Sequence, residues 1–371
     1  MKPYSLLIVG PESRVTGGIA HYVNEQRDRL PDEIDREVYD IGTPAGTGIW
    51  IAIATLLVSV QKMLAFPFRS KPDVAHVHTS DGFAFLRASF YVLFAAYVWR
   101  CPVVVHVHGS SFDEFVDADS LAVQALLNRV FAASEAVIVL SEYWKEALGS
   151  LVPEEKLVVL PNAVDTSGYE PSYERDRAHV VFVSNHVRRK GIVEFVEAID
   201  RLKSSAELPF DVSIAGSGQL ATHAEELAAA YPTVTYHGYV SEREKRALLD
   251  RGSIYVLPAY AEGLPIALLE GMAAGNAIIS TAVGSIPEVV GDENGILVDA
   301  RDIDQLQAAL AELISDPERT ESMGRANHRL AAEQYSWSTT VERLAALYQT
   351  LLSVDEAESP TRTRAATPVD R

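Results

Sequence analysis

A chain of 371 residues is too long for one ordinary core and suits two domains of roughly 150–200 residues each. Apolar residues make up 48% and charged ones 22%, which excludes a disordered chain and a multi-span membrane protein. The net charge of -19 repels polyanions at long range, so nucleic acid is excluded as a partner.

The chain runs early into a strand-like stretch, Ser5 to Gly10, without a signal-peptide pattern, and its one cysteine, Cys101, has no internal disulfide partner; a cytoplasmic protein is expected. Gly17 and Gly18 follow this strand and precede a helical stretch, Ile19 to Leu30, where they either admit a phosphate or sugar or make the turn. Further β-branched runs follow at helix-sized spacing: Glu37 to Ile41, Val74 to His78, Val103 to His108, Ala136 to Leu140 and Leu157 to Leu160. Between the second and third lies Ile49 to Phe68, almost continuously apolar. Only about 12 residues precede Gln61 and Lys62, or roughly 18 Å of helix against a hydrocarbon core of roughly 30 Å, so the segment is expected not to span. A helix packed in a Rossmann layer or one resting on a membrane surface fits it, and Phe83 to Trp99, interrupted by Arg87, poses the same question.

Two strands carry His76-Val77-His78 and His106-Val107-His108, and the period of two puts each histidine pair on one face. No carboxylate or cysteine supports a zinc site at a suitable spacing, so His76 and His106 are expected as hydrogen-bonded interior residues and no metal is assigned. His108, last in its strand and followed by Gly109, is the one expected to face a cleft.

Residues 161–177 are rich in Pro, Asn, Asp, Gly and Ser and read as a linker, with the boundary near Thr166. A second series of six strands follows: Val180 to Ser184, Val212 to Ala215, Val234 to His237, Ile254 to Leu257, Ala277 to Ser280 and Gly295 to Val298. The fold class is therefore α/β, with two Rossmann-like doubly wound domains, 1–165 and 166–335. Helices are expected at Asp302 to Ser315, Glu318 to Glu333 and Ser336 to Leu352, the last with Ser336 as N-cap, and residues 354–371 as a disordered tail.

In such sheets ligands bind beyond the carboxyl ends of the strands, and there the second half carries its unusual residues. After Ile254 to Leu257 comes Ala261 to Gly275, in which Pro265 suits the start of a helix and Gly275 its end. Glu262, Gly263 and Leu264 form the loop entering that helix, where unpaired N–H groups and the helix dipole attract phosphate or polarised hydroxyls. Glu262 lies before the helix and Glu270 inside it, each able to accept hydrogen bonds from vicinal hydroxyls. After Val180 to Ser184 comes His186 to Gly191, the densest cationic cluster of an acidic chain, with Arg188, Arg189 and Lys190. One Lys–phosphate pair at about 4 Å contributes ~4 kcal/mol before desolvation, so Lys190 is the expected diphosphate anchor. Gly216-Ser217-Gly218 follows the next strand.

Together these residues resemble the retaining glycosyltransferases of the GT-B fold, in particular glycosyltransferase family four. The resemblance runs from Gly17-Gly18 through Val105 to Gly109 and Leu160-Pro161-Asn162-Ala163-Val164-Asp165, and is most specific at Glu262-Gly263-Leu264-Pro265 with Glu270. It implies a nucleotide-sugar donor in a cleft between the domains, with Lys190 on the diphosphate, Glu270 on the ribose, and Glu262 with Gly263 to Pro265 on the donor sugar. His108 would touch that sugar near the anomeric centre, and Gly17, Gly18, Asn185, Arg189 and Gly216 would complete the donor site. It further implies an acceptor-binding first domain, retention without a bound metal or cofactor, and a closing helix, 336–353, that crosses back onto the first domain. The expected acceptor is a glycan or lipid-linked glycan of polysaccharide or glycoconjugate biosynthesis, with peripheral contact at the inner membrane face. Asn185 departs from the pattern, standing where many members carry arginine, a role Arg188 or Arg189 would take over; Ala163 stands where glycine is common. Competing readings are a sugar-nucleotide epimerase or phosphorylase of the same fold and a non-catalytic nucleotide-sugar-binding scaffold, whereas no Gly-x-Gly-x-x-Gly supports a dinucleotide oxidoreductase. Replacing Glu262 or Lys190 by alanine is expected to stop transfer without unfolding the protein.

Overall fold

The computed structural model describes residues 4–12, 17–44, 46, 48–117, 120–205 and 208–358. The chain divides into two compact units, one of residues 1–160 with 340–371 and one of 161–339.

The first unit holds β1 (Tyr4–Gly10), α1 (Gly18–Arg29), β2 (Ile34–Asp40), α2 (Ile49–Ala65), β3 (Val74–Thr79), α3 (Phe83–Phe94), β4 (Val103–Val107), α4 (Phe112–Val116), α5 (Leu121–Ala132), β5 (Ala136–Val139), α6 (Glu142–Leu148) and β6 (Leu157–Val159). Its strands form a parallel six-stranded sheet ordered β2-β1-β3-β4-β5-β6. Strands such as Val103–Val107 are buried throughout, as a parallel sheet covered by helices requires. The order reverses between β1 and β3, which places the loops after these strands at the switch point.

The second unit holds β7 (Ala178–Val183), α7 (Ile192–Ser205), β8 (Phe210–Ala215), α8 (Ala221–Ala230), β9 (Val234–Tyr236), α9 (Glu242–Arg251), β10 (Ile254–Leu257), α10 (Ile266–Ala273), β11 (Ala277–Thr281), α11 (Ile286–Val289), β12 (Gly295–Val298), α12 (Ile303–Ser315) and α13 (Pro317–Gln334). The parallel order β12-β11-β10-β7-β8-β9 is that of dinucleotide-binding folds, reversing between β7 and β10. Its core joins the sheet to α7 and α12 through residues such as Phe182, Phe195, Ile214 and Leu310, with the Phe182 and Phe195 rings stacked 4.8 Å apart. Asp302 and Asp316 cap α12 and α13, and Ser241 forms a capping box with Glu244 on α9.

The twelve strands read from the sequence are present, most within a residue or two of their expected bounds; β2 starts three residues earlier, at Ile34. The last helix, α14 (Trp337–Glu358), departs further. Ser336 caps it, accepting from the Thr339 N–H at 3.4 Å, but it runs into the expected tail as far as Glu358, because residues 354–358 contain neither glycine nor proline before Pro360. The rest of the expected tail, 359–371, lies outside the described residues.

Tyr348 anchors α14 in the first unit: it is fully buried, and its hydroxyl meets Gln26 Nε2 at 2.9 Å and His76 Nδ1 at 2.6 Å. Tyr348→Ala should cost about 3–5 kcal/mol in chemical denaturation, through the cavity and the two polar groups stripped of a partner; a loss below about 1 kcal/mol would show that the helix is not held there.

Candidate active site

The strongest constellation lies at the switch point of the second unit. β7 and β10 pair only at Ile254 with Val180 and Tyr255 with Val181, so beyond Val181 the two strands part. The Tyr255 hydroxyl donates to Val183 O at 3.0 Å across the gap. Two loops leave here, 184–191 after β7 and 258–265 after β10, and they are tied to each other: Tyr260 N–H donates to Arg189 O at 2.8 Å, and Arg189 Nη1 to Ala261 O at 2.6 Å. The tie brings Lys190 against Glu262. The Lys190 ammonium donates to Glu262 Oε1, and Arg189 lies 3.7 Å from Oε2.

Lys190 closes a tight 3₁₀ turn, 188–190, and Gly191 takes φ 72° so that the chain can turn into α7. A Cβ there would lie 1.9 Å from Pro258 O, so no other residue fits the close approach of the two loops. The Glu262–Pro265 loop is buried. It is held on one side by Ser285 N–H, which donates to Gly263 O at 3.0 Å, and on the other by Asn162 Nδ2, which donates to Leu264 O at 2.6 Å. Pro265 is the N-cap of α10, and Gly275 follows the helix at φ 69°.

Glu270, buried on α10, meets Lys245 Nζ at 2.7 Å. Lys245 also meets Glu242 at 2.8 Å. Burial alone would lower the Lys245 pKa, but the two carboxylates together outweigh it and the net direction is up, so the ammonium stays charged. The Tyr255 phenol is pushed far above its ordinary value by burial, and then by the charges on Glu270 and Glu262. Arg188 lies 3.1 Å from buried Glu194 and over the Tyr260 ring.

Gly216 sits at the end of β8 with φ 134°; a Cβ would lie 1.9 Å from Ser184 O, and the buried His186 ring packs beside it. Asn185, in the same loop, is exposed. Ala163 is not among the residues of positive φ, which apart from glycines are Arg100 and Arg301 among the described residues, so alanine fits the position.

The first unit carries a second constellation, of histidines. His76, His78 and His106 are buried and His108 is half-buried at the end of β4. A continuous hydrogen-bond chain links them. His108 Nε2 meets His78 Nδ1 at 2.9 Å, His78 Nε2 meets Gln26 Oε1 at 2.8 Å, Gln26 Nε2 donates to Tyr348 Oη, and Tyr348 meets His76, whose Nε2 lies 3.3 Å from His106 Nδ1. With Gln26 Oε1 as acceptor, His78 must donate from Nε2 and accept at Nδ1, so His108 donates from Nε2. Ligand atoms of His76, His78 and His106 lie within 4.8 Å of one another. Of the two read from the sequence as hydrogen-bonded interior residues, His76 engages both ring nitrogens in this chain and His106 its Nδ1. Gly17 and Gly18 stand exposed at the N-terminus of α1.

Of the expected site residues, Asn185, Arg189, Lys190, Gly216, Glu262 to Pro265 and Glu270 belong to the second unit, and Gly17, Gly18 and His108 to the first. The sequence reading missed Lys245, whose spacing of three from Glu242 marks a helix-surface pair, and Gln26 and Tyr348, which carry no motif.

Burial holds His76 near a pKa of about 3, with the charge of His108 a smaller cause, and pushes His78 and His106 well below their ordinary value. The unfolded chain binds protons at the ordinary pKa of about 6.5 while the folded one does not, so stability is full above about pH 6.5 and falls as pH drops toward 3. Unfolding free energies from denaturant titrations should decrease from about pH 7 to 5, by up to about 1.4 kcal/mol per pH unit for each histidine. A flat profile would mean that these rings are hydrated or charged in the folded state.

Comparisons with known proteins bear on both units. Residues 19–167 match the family model Glycosyltransferase Family 4, and residues 170–329 match Glycosyl transferases group 1. An MMP alpha-(1->4)-mannosyltransferase of Mycolicibacterium hassiacum is 28% identical over 260 residues, 69% of this chain and 60% of that protein. A GDP-mannose-dependent alpha-(1-6)-phosphatidylinositol monomannoside mannosyltransferase of Mycobacterium tuberculosis is 29% identical over 245 residues, 60% of this chain and 63% of that protein. The chain thus spans less than two thirds of the length of these curated relatives. Sucrose-phosphate synthase of Thermosynechococcus elongatus superposes with a TM-score of 0.74 at 16% identity, covering 95% of this chain and 100% of that one, a likeness of fold. With both halves matched and the GT-B architecture in place, the chain belongs to the group 1 glycosyltransferases, whose first half is that of glycosyltransferase family four.

Proposed function

We propose that this protein transfers a sugar from a nucleotide-sugar donor to a hydroxyl of a glycan or lipid-linked glycan, with retention of configuration and without a bound metal ion or other cofactor. The observation that carries the reading is the ion pair of Lys190 and Glu262 at the switch point of the second sheet, with the second buried pair, Lys245 and Glu270, on the adjoining helix. A cation for a diphosphate and a carboxylate for sugar hydroxyls adjoin there, and two such groups are needed where a diphosphate is bonded to a sugar. The relatives' names support a nucleotide-sugar donor, and one of them a lipid-linked acceptor.

In the proposed reaction the acceptor oxygen bonds to the anomeric carbon on the face from which the diphosphate leaves. The bond from that carbon to the diphosphate oxygen breaks, and the acceptor proton passes to the departing diphosphate. Lys190, with Arg189 beside it, offsets the charge that grows on the leaving group; this charge is what a metal would otherwise neutralise. Arg189, rather than Asn185, supplies the second cation. Glu262 and the Gly263–Pro265 loop hold the donor sugar and Glu270 the ribose. In the unliganded protein Glu262 neutralises Lys190; an arriving diphosphate competes for the ammonium and frees the carboxylate for hydroxyls.

Thermal shift with a panel of UDP-, GDP- and ADP-sugars, run without metal, tests this: the true donor at 100 times its dissociation constant adds about 2.7 kcal/mol. The shift should vanish in Lys190→Ala, and Glu262→Gln should lower turnover about 100-fold or more with the fold intact. Because Glu262 is buried, removing Lys190 also takes away its ammonium partner and should itself cost a few kcal/mol. Donor binding without acceptor-dependent release of nucleotide would instead indicate a scaffold.

A further inference from the structure

The helix α2 is built inside out. Its one charged residue, Lys62, turns inward, with Nζ 3.0 Å from Asp40 Oδ2 and 2.9 Å from Gly42 O, and Ser59 is buried. The residues that recur at helical spacing on its outer face are Trp50, Ile53, Leu57, Leu64 and, on the following turn, Phe68, exposed by 79, 41, 64, 68 and 89%. A layer helix of a water-surrounded protein carries polar residues on that face. An apolar stripe of this length marks an interaction surface.

Charge identifies the occupant. The chain carries 51 acidic residues, yet neither 41–72 nor 82–112 contains one, while these segments hold Lys62, Arg69, Lys71, Arg87 and Arg100. The two segments adjoin: Phe66 packs on Trp99 with ring centroids 4.6 Å apart, and Lys71 Nζ donates to Arg100 O at 3.5 Å. Arg69, Lys71 and Arg100 thus gather beside exposed Phe68, and the contact of Arg69 with Glu37 at 2.7 Å is exposed and weak. Apolar and aromatic side chains rimmed by cations, in a protein that otherwise repels anions, match the acyl boundary and headgroups of an anionic bilayer.

With its 3₁₀ turn the helix, 49–68, is long and apolar enough to cross a membrane. The contacts of Lys62 with Asp40 and Gly42, and of the Tyr39 hydroxyl with Lys62 O at 2.6 Å, hold it alongside the sheet instead. We propose that the outer face of α2, with the basic cluster at its end, docks this protein in plane on an anionic lipid bilayer. The proposal does not rest on the donor site.

Co-sedimentation with phosphatidylglycerol-containing vesicles, and with pure phosphatidylcholine as reference, tests it. Wild type should bind the anionic vesicles preferentially and lose affinity with salt. Trp50→Glu with Leu57→Glu should weaken partitioning about 100-fold, and Arg69→Gln with Lys71→Gln should flatten the salt dependence. All four sites are exposed, and unchanged melting and transfer to a soluble acceptor would separate docking from folding and from the catalytic reading. Absence of binding by wild type, or equal binding by the Trp50 and Leu57 variant, would overturn the proposal. So would a dimer, seen by ultracentrifugation, that dissociates in that variant while vesicles leave the protein unbound; the face would then join two copies of the chain.

Discussion

Two buried carboxylates of the second unit, Glu262 and Glu270, each lie against an ammonium, Lys190 and Lys245 in turn. An unpaired carboxylate at that depth would take up a proton or unfold the loop. The requirement reaches outward through the backbone. Lys190 arrives only because Gly191 turns the chain against Pro258, and Glu262 is presented only because Gly263 O and Leu264 O are held by Ser285 and Asn162. The parting of β7 and β10 after two paired residues opens the place where these groups meet. Such pairs contribute little net stability, so their persistence is better explained by what they hold ready than by what they hold together.

The first unit inverts the usual distribution of polarity. Its interior contains three histidines, Gln26 and Tyr348, joined with half-buried His108 in one hydrogen-bonded chain, while its α2 presents tryptophan, isoleucine and leucine outward. Both departures carry a cost, the first in desolvation of the imidazoles and the second in exposed apolar surface. Each bears on function: the histidine chain sets which nitrogen of His108 carries its proton, and the outer stripe is the face proposed to dock on a bilayer.

Much of this was legible in the sequence. The buried strands, such as β4, read as continuous β-branched runs, while β2, half-exposed and charged, is legible only in its second half; Lys190, Glu262 and Glu270 stand out because each comes after a strand of the second half. Their pairing was not legible, since Lys190 and Glu262 are 72 positions apart and only strand order makes them neighbours. Lys245 was hidden for the opposite reason: at three residues from Glu242 it has the spacing of an ordinary solvated pair. A segment apolar on every side, such as α2, gives no period from which inside and outside can be told. The end of α14 was missed because charged, proline-poor sequence reads as tail and as helix alike.

A crystal structure of the protein with its intact donor would test the central claim most directly. The account predicts the diphosphate at the parting of β7 and β10, with Lys190 Nζ withdrawn from Glu262 to within about 3 Å of a phosphate oxygen. Glu270 would lie against the ribose, and Glu262 against sugar hydroxyls. A donor bound away from this edge, with the Lys190–Glu262 pair unchanged, would contradict it.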